Sequence, residues 1–364
     1  MTTPRGSILT PAGWVRGEVT MAQGRIAAVV GADRPPEPPY ILPGFIDLHV
    51  HGGGGHDGMT GAAALRGMLR YHAAHGTVAL APTTVTETAS AIRATLADIA
   101  AIAARPGAGE PLVLGAHLEG PFINPARLGA QVPRTRDGDA ALADAWAAEC
   151  PIVVATVAPE IPGGLAVIRA LAGHRCRVQI GHSIASDAEC AAAFACGCTG
   201  FTHLFNAMTG LHHRTQGVAG YALAHADHAE LICDLCHVQA TTIHAARRAI
   251  PRLYAITDAT TASGLADGEY HFAGRRVYKR DGRITLEDGT TLAGSVITMA
   301  DALRNLVAIG VPLAEASAMT ATRQADYLGR TDLGRIVPGA RASLVRLDAA
   351  MAVEAVWIDG AVIA

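Results

Sequence analysis

Residues 41–55, ILPGFIDLHVHGGGG, set the reading of the whole chain. An apolar strand carrying one aspartate runs into a burst of histidine and glycine. In a strand, residues two apart face the same way, so His49 and His51 point to one side and Asp47 joins them. Two imidazoles at this spacing suit a divalent metal near the end of a buried strand. The plain alternative is a histidine pair with no task beside a flexible turn. The glycines at 52–55 favour a task, since they let a backbone approach a ligand closely at an entropic cost.

Outward from this stretch, apolar runs alternate with Ala-rich helical segments. Strand candidates fall at 77–81, 112–117, 152–157, 177–181, 199–202, 230–233 and 253–257; helical candidates include 61–75, 87–105, 138–148, 163–173, 187–195, 240–249, 295–309 and 312–324. Strand then helix, repeated about eight times, predicts an α/β protein built as a (β/α)8 barrel rather than a doubly wound sheet. A doubly wound sheet concentrates its chemistry at one switch point, whereas here polar residues follow many different strands. Residues 1–42 read as short strands with a Gly-Arg turn and a proline-rich link, DRPPEPPY (33–40). Residues 331–364 return to short strands. Head and tail are expected to build one small β domain, with the barrel, 43–330, inserted between them.

Composition narrows the function. Half of the 364 residues are hydrophobic, 17% are charged and the formal net charge is −3, which excludes a disordered chain and a general polyanion binder. Aromatics at 4% are too sparse for a stacking surface on single-stranded nucleic acid. No membrane span is expected, because no apolar stretch reaches the needed length without polar interruption. Lys279 is the only lysine. A Walker lysine is therefore excluded elsewhere, and a metal-bridging carbamylated lysine would have to be this residue, whose setting, RRVYKRDGR (275–283), reads as a turn between polar strands. The seven cysteines and the absence of an apolar leader lead to the expectation of a soluble, cytoplasmic protein with reduced thiols. Cys233-Asp-Leu-Cys236-His237 matches a c-type haem attachment pattern, but that chemistry requires export.

Other strand ends carry chemistry too. His117 and Glu119 share a face after PLVLGA, and a buried Glu119 charge needs a partner or a metal. His182 follows RVQI, His203 follows CGCTG, and Asp258 follows LYAI. Each alone could be a loop histidine or a helix cap. Together, two histidines at His-x-His spacing, a glutamate and two further histidines make the nitrogen and oxygen mixture suited to Zn²⁺ or a related ion. Asp258 is placed to move a proton between an activated water and a leaving nitrogen.

The segments PGFIDLHVHG (43–52), HLEGPF (117–122), GHS (181–183), THLFNAM (202–208), GVAG (217–220), TDA (257–259), LAGS (292–295) and LGRIVPGARASLV (333–345) run in order along nearly the whole chain. In this the chain resembles the N-acetylglucosamine-6-phosphate deacetylases of the metal-dependent amidohydrolase superfamily. The resemblance implies a distorted TIM-like (β/α)8 barrel with a small β-sandwich domain from both termini, commonly as a homodimer. It implies Glu119, His182 and His203 as ligands of the principal metal and Asp258 as general base, then acid. Asn206 and Ala207 match the segment that contacts the sugar phosphate. His237 matches a histidine beside the sugar and phosphate, and Arg214 an arginine that reaches the phosphate of the neighbouring subunit. His49 and His51 resemble the pair of members that hold a second metal, so the implied cofactor is one or two divalent ions, Zn²⁺ first, with no organic cofactor. Gln131, in GAQVP, departs from the family's usual histidine; it can donate a hydrogen bond to the substrate carbonyl but cannot become cationic. The expected reaction is hydrolysis of N-acetyl-D-glucosamine 6-phosphate to glucosamine 6-phosphate and acetate. Rival readings are the galactosamine epimer, an amidohydrolase of dihydroorotase or hydantoinase type (which usually needs a carbamylated lysine after a central strand, where this chain offers none), and a silent sugar-phosphate-binding barrel.

Overall fold

A computed structural model describes residues 3–364. Nine parallel strands account for the apolar runs. Phe45–Val50, Thr77–Pro82 and Leu112–Val113 form one sheet; Ala116–Glu119, Ile152–Val157, Arg177–Ile180 and Cys198–Phe201 form a second; His228–Ile232 and Arg252–Ile256 form a third. Most of their residues are buried on both faces, as parallel strands covered by helices are. The helices between them are rich in alanine and pack closely on the strands: Ala62–Ala74, Ala89–Ala104, Ala140–Glu149, Gly164–Gly173, Asp187–Ala195, Gly217–His225 and Ala240–Ala249. Asp187–Ala195 starts on a capping box in which Ser186 and Glu189 satisfy each other's backbone N–H groups.

Backbone hydrogen bonds link the three parallel sheets end to end. Thr84 N–H donates to the His117 carbonyl at 3.0 Å, Leu204 N–H to Glu230 at 2.9 Å, and Asp258 N–H to His49 at 2.9 Å. The last of these sets the end of the final parallel strand beside the end of the first, which brings residues 209 positions apart in sequence into one cluster.

Both chain ends enter a separate seven-stranded sheet. Tyr40–Pro43 pairs parallel with Arg5–Thr10 and antiparallel with Leu344–Leu347. The outer strand Arg25–Asp33 bends back to the tail, with Ile26 N–H donating to Ala340 and Ala342 N–H to Gly24. Ile8, Val19, Ile26, Ile41, Leu344 and Trp357 fill the space enclosed by this curl.

The segment around Lys279 is a turn between two strands, as expected: Arg275–Arg280, which carries it, pairs antiparallel with Arg283–Thr285, and its ammonium donates to the carbonyls of Ala262 and Leu265. Two local expectations need correction. The helix expected over 312–324 is interrupted: Leu313–Ser317 and Arg323–Tyr327 flank a π-helical segment, Ala318–Thr322. There the Thr320 hydroxyl donates to the carbonyls of Ala316 and Ser317, loosening the regular ladder. The region 112–117 is two strands separated by Leu114 and Gly115, since Gly115 takes a positive φ of 136° and its Cβ position would lie 2.4 Å from the Pro151 carbonyl oxygen.

Candidate active site

The carboxyl ends of the parallel strands meet at one point. His49 and His51 sit at the end of Phe45–Val50, Glu119 closes Ala116–Glu119, and His182, His203 and Asp258 come just past Arg177–Ile180, Cys198–Phe201 and Arg252–Ile256. The last three hold positive φ angles of 48°, 28° and 50°. Left-handed backbone is costly for residues with a side chain, and such strain gathers where a site fixes it. The glycine run has a steric reason as well. A Cβ on Gly52 would come 2.6 Å from the His56 carbonyl oxygen and 2.7 Å from Thr261 N.

Two donor groups form. In the first, Glu119 Oε1 lies 3.1 Å from both His182 Nε2 and His203 Nε2, and the two nitrogens are 3.1 Å apart. In the second, His49 Nε2 and His51 Nε2 are 3.2 Å apart, and Asp258 Oδ1 is 3.2 Å from His51 and 3.6 Å from His49. Glu119 reaches the second group too, its Oε2 lying 3.3 Å from His51 Nε2. Hydrogen bonds on the far side of the rings set the tautomers. His182 Nδ1 donates to the Arg127 carbonyl at 2.7 Å, and His51 Nδ1 to the Thr83 carbonyl at 3.3 Å; carbonyls can only accept. With a proton on Nδ1 alone, both Nε2 atoms carry lone pairs, and each faces another imidazole nitrogen at contact distance. A proton or a metal cation between them resolves that arrangement.

The electrostatics favour a cation. Burial pushes the His51 pKa down, but Asp258 and Glu119 outweigh it and hold it at about 9. Burial likewise opposes a charge on His49, yet Glu119, Glu230 and Asp258 raise it well above the ordinary range. Conversely, Asp258 is pushed up by burial and held down more strongly by His49 and His51, so it stays ionised. These groups fit a divalent ion by their donor chemistry: nitrogen lone pairs and carboxylate oxygens converging in a buried space.

Other candidate residues take different places. Asp47 is turned to structure, accepting from the Thr257 hydroxyl at 2.6 Å and from His49 N–H at 3.2 Å. His117 has both ring nitrogens occupied, by the Leu48 carbonyl at 2.9 Å and the Thr156 hydroxyl at 2.8 Å. Gln131 is buried beside the first group, and its amide donates to Glu119 Oε2 at 2.6 Å. A cavity of about 290 Å³ opens over Glu119 and Asp258 and is lined also by Gln131, Asn206, Ala207 and His237. Asp234 accepts from His237 Nδ1 at 2.6 Å. Arg214 is not in this cavity; within the chain it is exposed and lines another of about 620 Å³ with Arg127 and Ile184. A larger cavity of about 910 Å³, at Ile152, Arg177 and Thr199, lies where the strands begin and has no carboxylate in its lining.

Sequence reasoning passed over Glu230, which accepts from His49 Nδ1 at 2.9 Å. The available signal was a charged residue in the middle of an apolar strand, HAELI. It also missed Glu160, which orders the loop after His182 through Ser183 and Asn124.

Comparison with known proteins agrees with this geometry. The model of the Amidohydrolase family matches residues 40–363. The chain is 38% identical to an N-acetylgalactosamine-6-phosphate deacetylase of Escherichia coli O157:H7, over 97% of this chain and 96% of that protein. It is 35% identical to an N-acetylglucosamine-6-phosphate deacetylase of Vibrio furnissii, over 89% and 82%. Among solved structures, an aspartate-to-alanine mutant of N-acetyl-D-glucosamine-6-phosphate deacetylase from Mycobacterium smegmatis, in complex with N-acetyl-D-glucosamine 6-phosphate, superimposes with a TM-score of 0.90 at 31% identity, covering 99% of this chain and 98% of that one. The N-acetylglucosamine-6-phosphate deacetylase of Thermotoga maritima gives 0.90 at 29% identity, covering 99% of each chain. With its donor groups at the strand ends and likeness along almost its full length, the chain belongs to the amidohydrolase family, among the N-acetylhexosamine-6-phosphate deacetylases.

Proposed function

We propose that the chain hydrolyses the acetamido bond of N-acetyl-D-glucosamine 6-phosphate, releasing acetate and glucosamine 6-phosphate. The observation that carries this reading is the meeting of Glu119, His182, His203 and Asp258 at one cavity that also takes in Asn206 and His237. Counting Leu112–Val113 and Ala116–Glu119 as one interrupted strand, we read the three parallel sheets as one closed eight-stranded barrel, supported by the backbone hydrogen bonds that span all three gaps between them. The curled terminal sheet, with its own enclosed core, supports the β-sandwich reading of the small domain. On this division the domains run over 1–42 with 331–364, and 43–330.

Glu119, His182 and His203 would hold one divalent ion, and His49, His51 and Asp258 a second; Zn²⁺ suits both donor sets. When bound, such an ion supplies Lewis-acid activation of a water and of the amide carbonyl. Asp258 would take the proton of the attacking water on its other carboxylate oxygen, Oδ2, and pass it to the amide nitrogen as the C–N bond breaks. Its ionised state equips it for the first transfer. Asp234 holds His237 Nδ1 and leaves Nε2 for the sugar phosphate. Asn206 and the Ala207 backbone position the sugar. Gln131 steadies Glu119.

The protein acts as a cytoplasmic homodimer in this reading, with Arg214 completing the phosphate site of the partner subunit. Supporting this are the exposure of Arg214 outside the cavity over Glu119 and Asp258, and the apolar surface near it, where Leu211 is 62% and Ile184 44% exposed. Among the described residues no helix is long and apolar enough to cross a membrane.

A second reading is the galactosamine epimer, favoured by the more complete match to the E. coli O157:H7 relative. Acetate release measured across N-acetylglucosamine and N-acetylgalactosamine, each with and without the 6-phosphate, tests both. Turnover of the glucosamine 6-phosphate derivative with the highest kcat/KM supports the first reading. Preference for the galactosamine derivative replaces it with the second, and release from neither overturns both.

A further inference from the structure

Glu230 lies within the strand His228–Ile232 and has no exposed surface. Ala229 and Leu231 beside it pack in the main apolar core, so Glu230 takes the opposite face, the one on which Ile232 lines the active-site cavity. Its oxygens touch both donor groups. Oε2 accepts from His49 Nδ1 at 2.9 Å and from the His203 backbone N–H at 3.3 Å, and Oε1 accepts from the Tyr254 hydroxyl at 3.3 Å. Among the described residues, no guanidinium or ammonium bonds it. A buried carboxylate needs compensation, and here the charge can come from the His49 ring or from an ion held on that ring's other nitrogen.

A carboxylate on Nδ1 has two chemical effects. It keeps the proton on that atom, leaving the Nε2 lone pair for a cation. It also makes the ring a stronger donor. Glu119 and Asp258 approach His49 only from the Nε2 side, at 3.5 and 3.6 Å. His117 does not divert Glu230, since its Nδ1 bonds the Leu48 carbonyl at 2.9 Å and stands 4.0 Å from the carboxylate.

We propose that Glu230 is a positioning residue that makes His49 a metal ligand: by holding the Nδ1 proton it enables the His49–His51–Asp258 group to take a divalent cation. This rests on the reading of that group as a second ion position, and not on which sugar is the substrate.

The test is a Zn²⁺ titration of the purified full chain against a chelator of known affinity, with bound ions counted by mass spectrometry. The wild type is expected to take two ions per chain. Glu230→Gln preserves volume and is expected to keep the first ion while binding the second about 10- to 100-fold more weakly. Glu230→Asp, too short to reach His49, should show the same loss. Tyr254→Phe removes a donor to Glu230 without touching His49, so its second-ion affinity should equal that of the wild type. Equal second-ion affinity in wild type and Glu230→Gln overturns the role of Glu230 alone. Equal weakening by Tyr254→Phe also overturns it, because it would report only a disturbed core. A wild type that takes one ion at saturating Zn²⁺ overturns both this role and the second position. Should the Glu230 variants fail to fold, nitrogen NMR of the wild-type histidines decides: His49 protonated on Nδ1 supports the proposal, and the Nε2–H tautomer overturns it.

Discussion

The amide nitrogen of Gln131 donates to Glu119 Oε2 at 2.6 Å, while the backbone N–H of Thr86 donates to the Gln131 carbonyl at 2.7 Å. The second bond fixes which end of the carboxamide faces Glu119, because only the nitrogen is left to donate. Gln131 is therefore a brace on the Glu119 carboxylate, engaged before any substrate carbonyl arrives. Removing it in Gln131→Ala should weaken ion binding at the Glu119, His182 and His203 group by about tenfold or more. Chelator competition on the purified variant measures this, and unchanged affinity would count against the brace.

The same position bears on the number of ions. A second ion at His49, His51 and Asp258 would supply the carbonyl polarisation that the family resemblance assigns to a histidine at the place of Gln131. Gln131→His should then raise kcat far more in a His49→Ala/His51→Ala background than in the wild type. Electrostatic stabilisation of a developing oxyanion is worth roughly 3 kcal/mol when one good donor is removed, so the difference is within reach of steady-state kinetics. Equal effects in both backgrounds would show that the second ion does not substitute for the histidine.

Much of this site is legible in the sequence because the parallel strands end in the residues that converge there. His49, Glu119, His182, His203 and Asp258 each follow an apolar run, and the run gives their depth and direction. Glu230 sits inside a run rather than after it, so it reads as an interruption instead of a partner for His49, 181 positions away. The Gln131–Glu119 bond is invisible for another reason: the loop carrying Gln131 has no periodicity to fix where its side chains point. The π-helical segment at Ala318–Thr322 is hidden because its apolar spacing resembles that of an ordinary helix. Arg214 was legible only as part of a segment, and its geometry within one chain places it away from the cavity.

Arg214→Ala should raise KM for the 6-phosphate substrate far more than for the unphosphorylated sugar, since a charge-assisted fork to a dianion is lost. Mixed dimers of Arg214→Ala and Asp258→Asn chains should recover one working site. Confirmed mixed dimers without activity would place the arginine's action within its own chain.

His72 gives a prediction on stability. It is fully buried on the helix Ala62–Ala74, donates from Nε2 to the Gly52 carbonyl at 2.9 Å, and burial drives its pKa down to about 4. An unfolded chain binds a proton here near pH 6.5, which the folded chain refuses until about pH 4. Folding stability should therefore fall as pH drops through that window, by on the order of 3 kcal/mol in total from this group. His72→Gln, which can still donate to Gly52, should flatten the decline. Denaturant midpoints measured from pH 7 to pH 4 test it, and parallel curves for the two proteins would refute it.

Catalysis by Asp258 is the centre of the account. The most direct measurement is release of acetate and free amine from N-acetyl-D-glucosamine 6-phosphate by wild type and Asp258→Asn, with the ion content of each sample determined alongside. The wild type should release the two products in equal amounts. Asp258→Asn should retain the ion at Glu119, His182 and His203 and lose at least about 10²-fold in kcat. Near-normal turnover by Asp258→Asn, or a wild type that binds the sugar phosphate without releasing acetate, would contradict it.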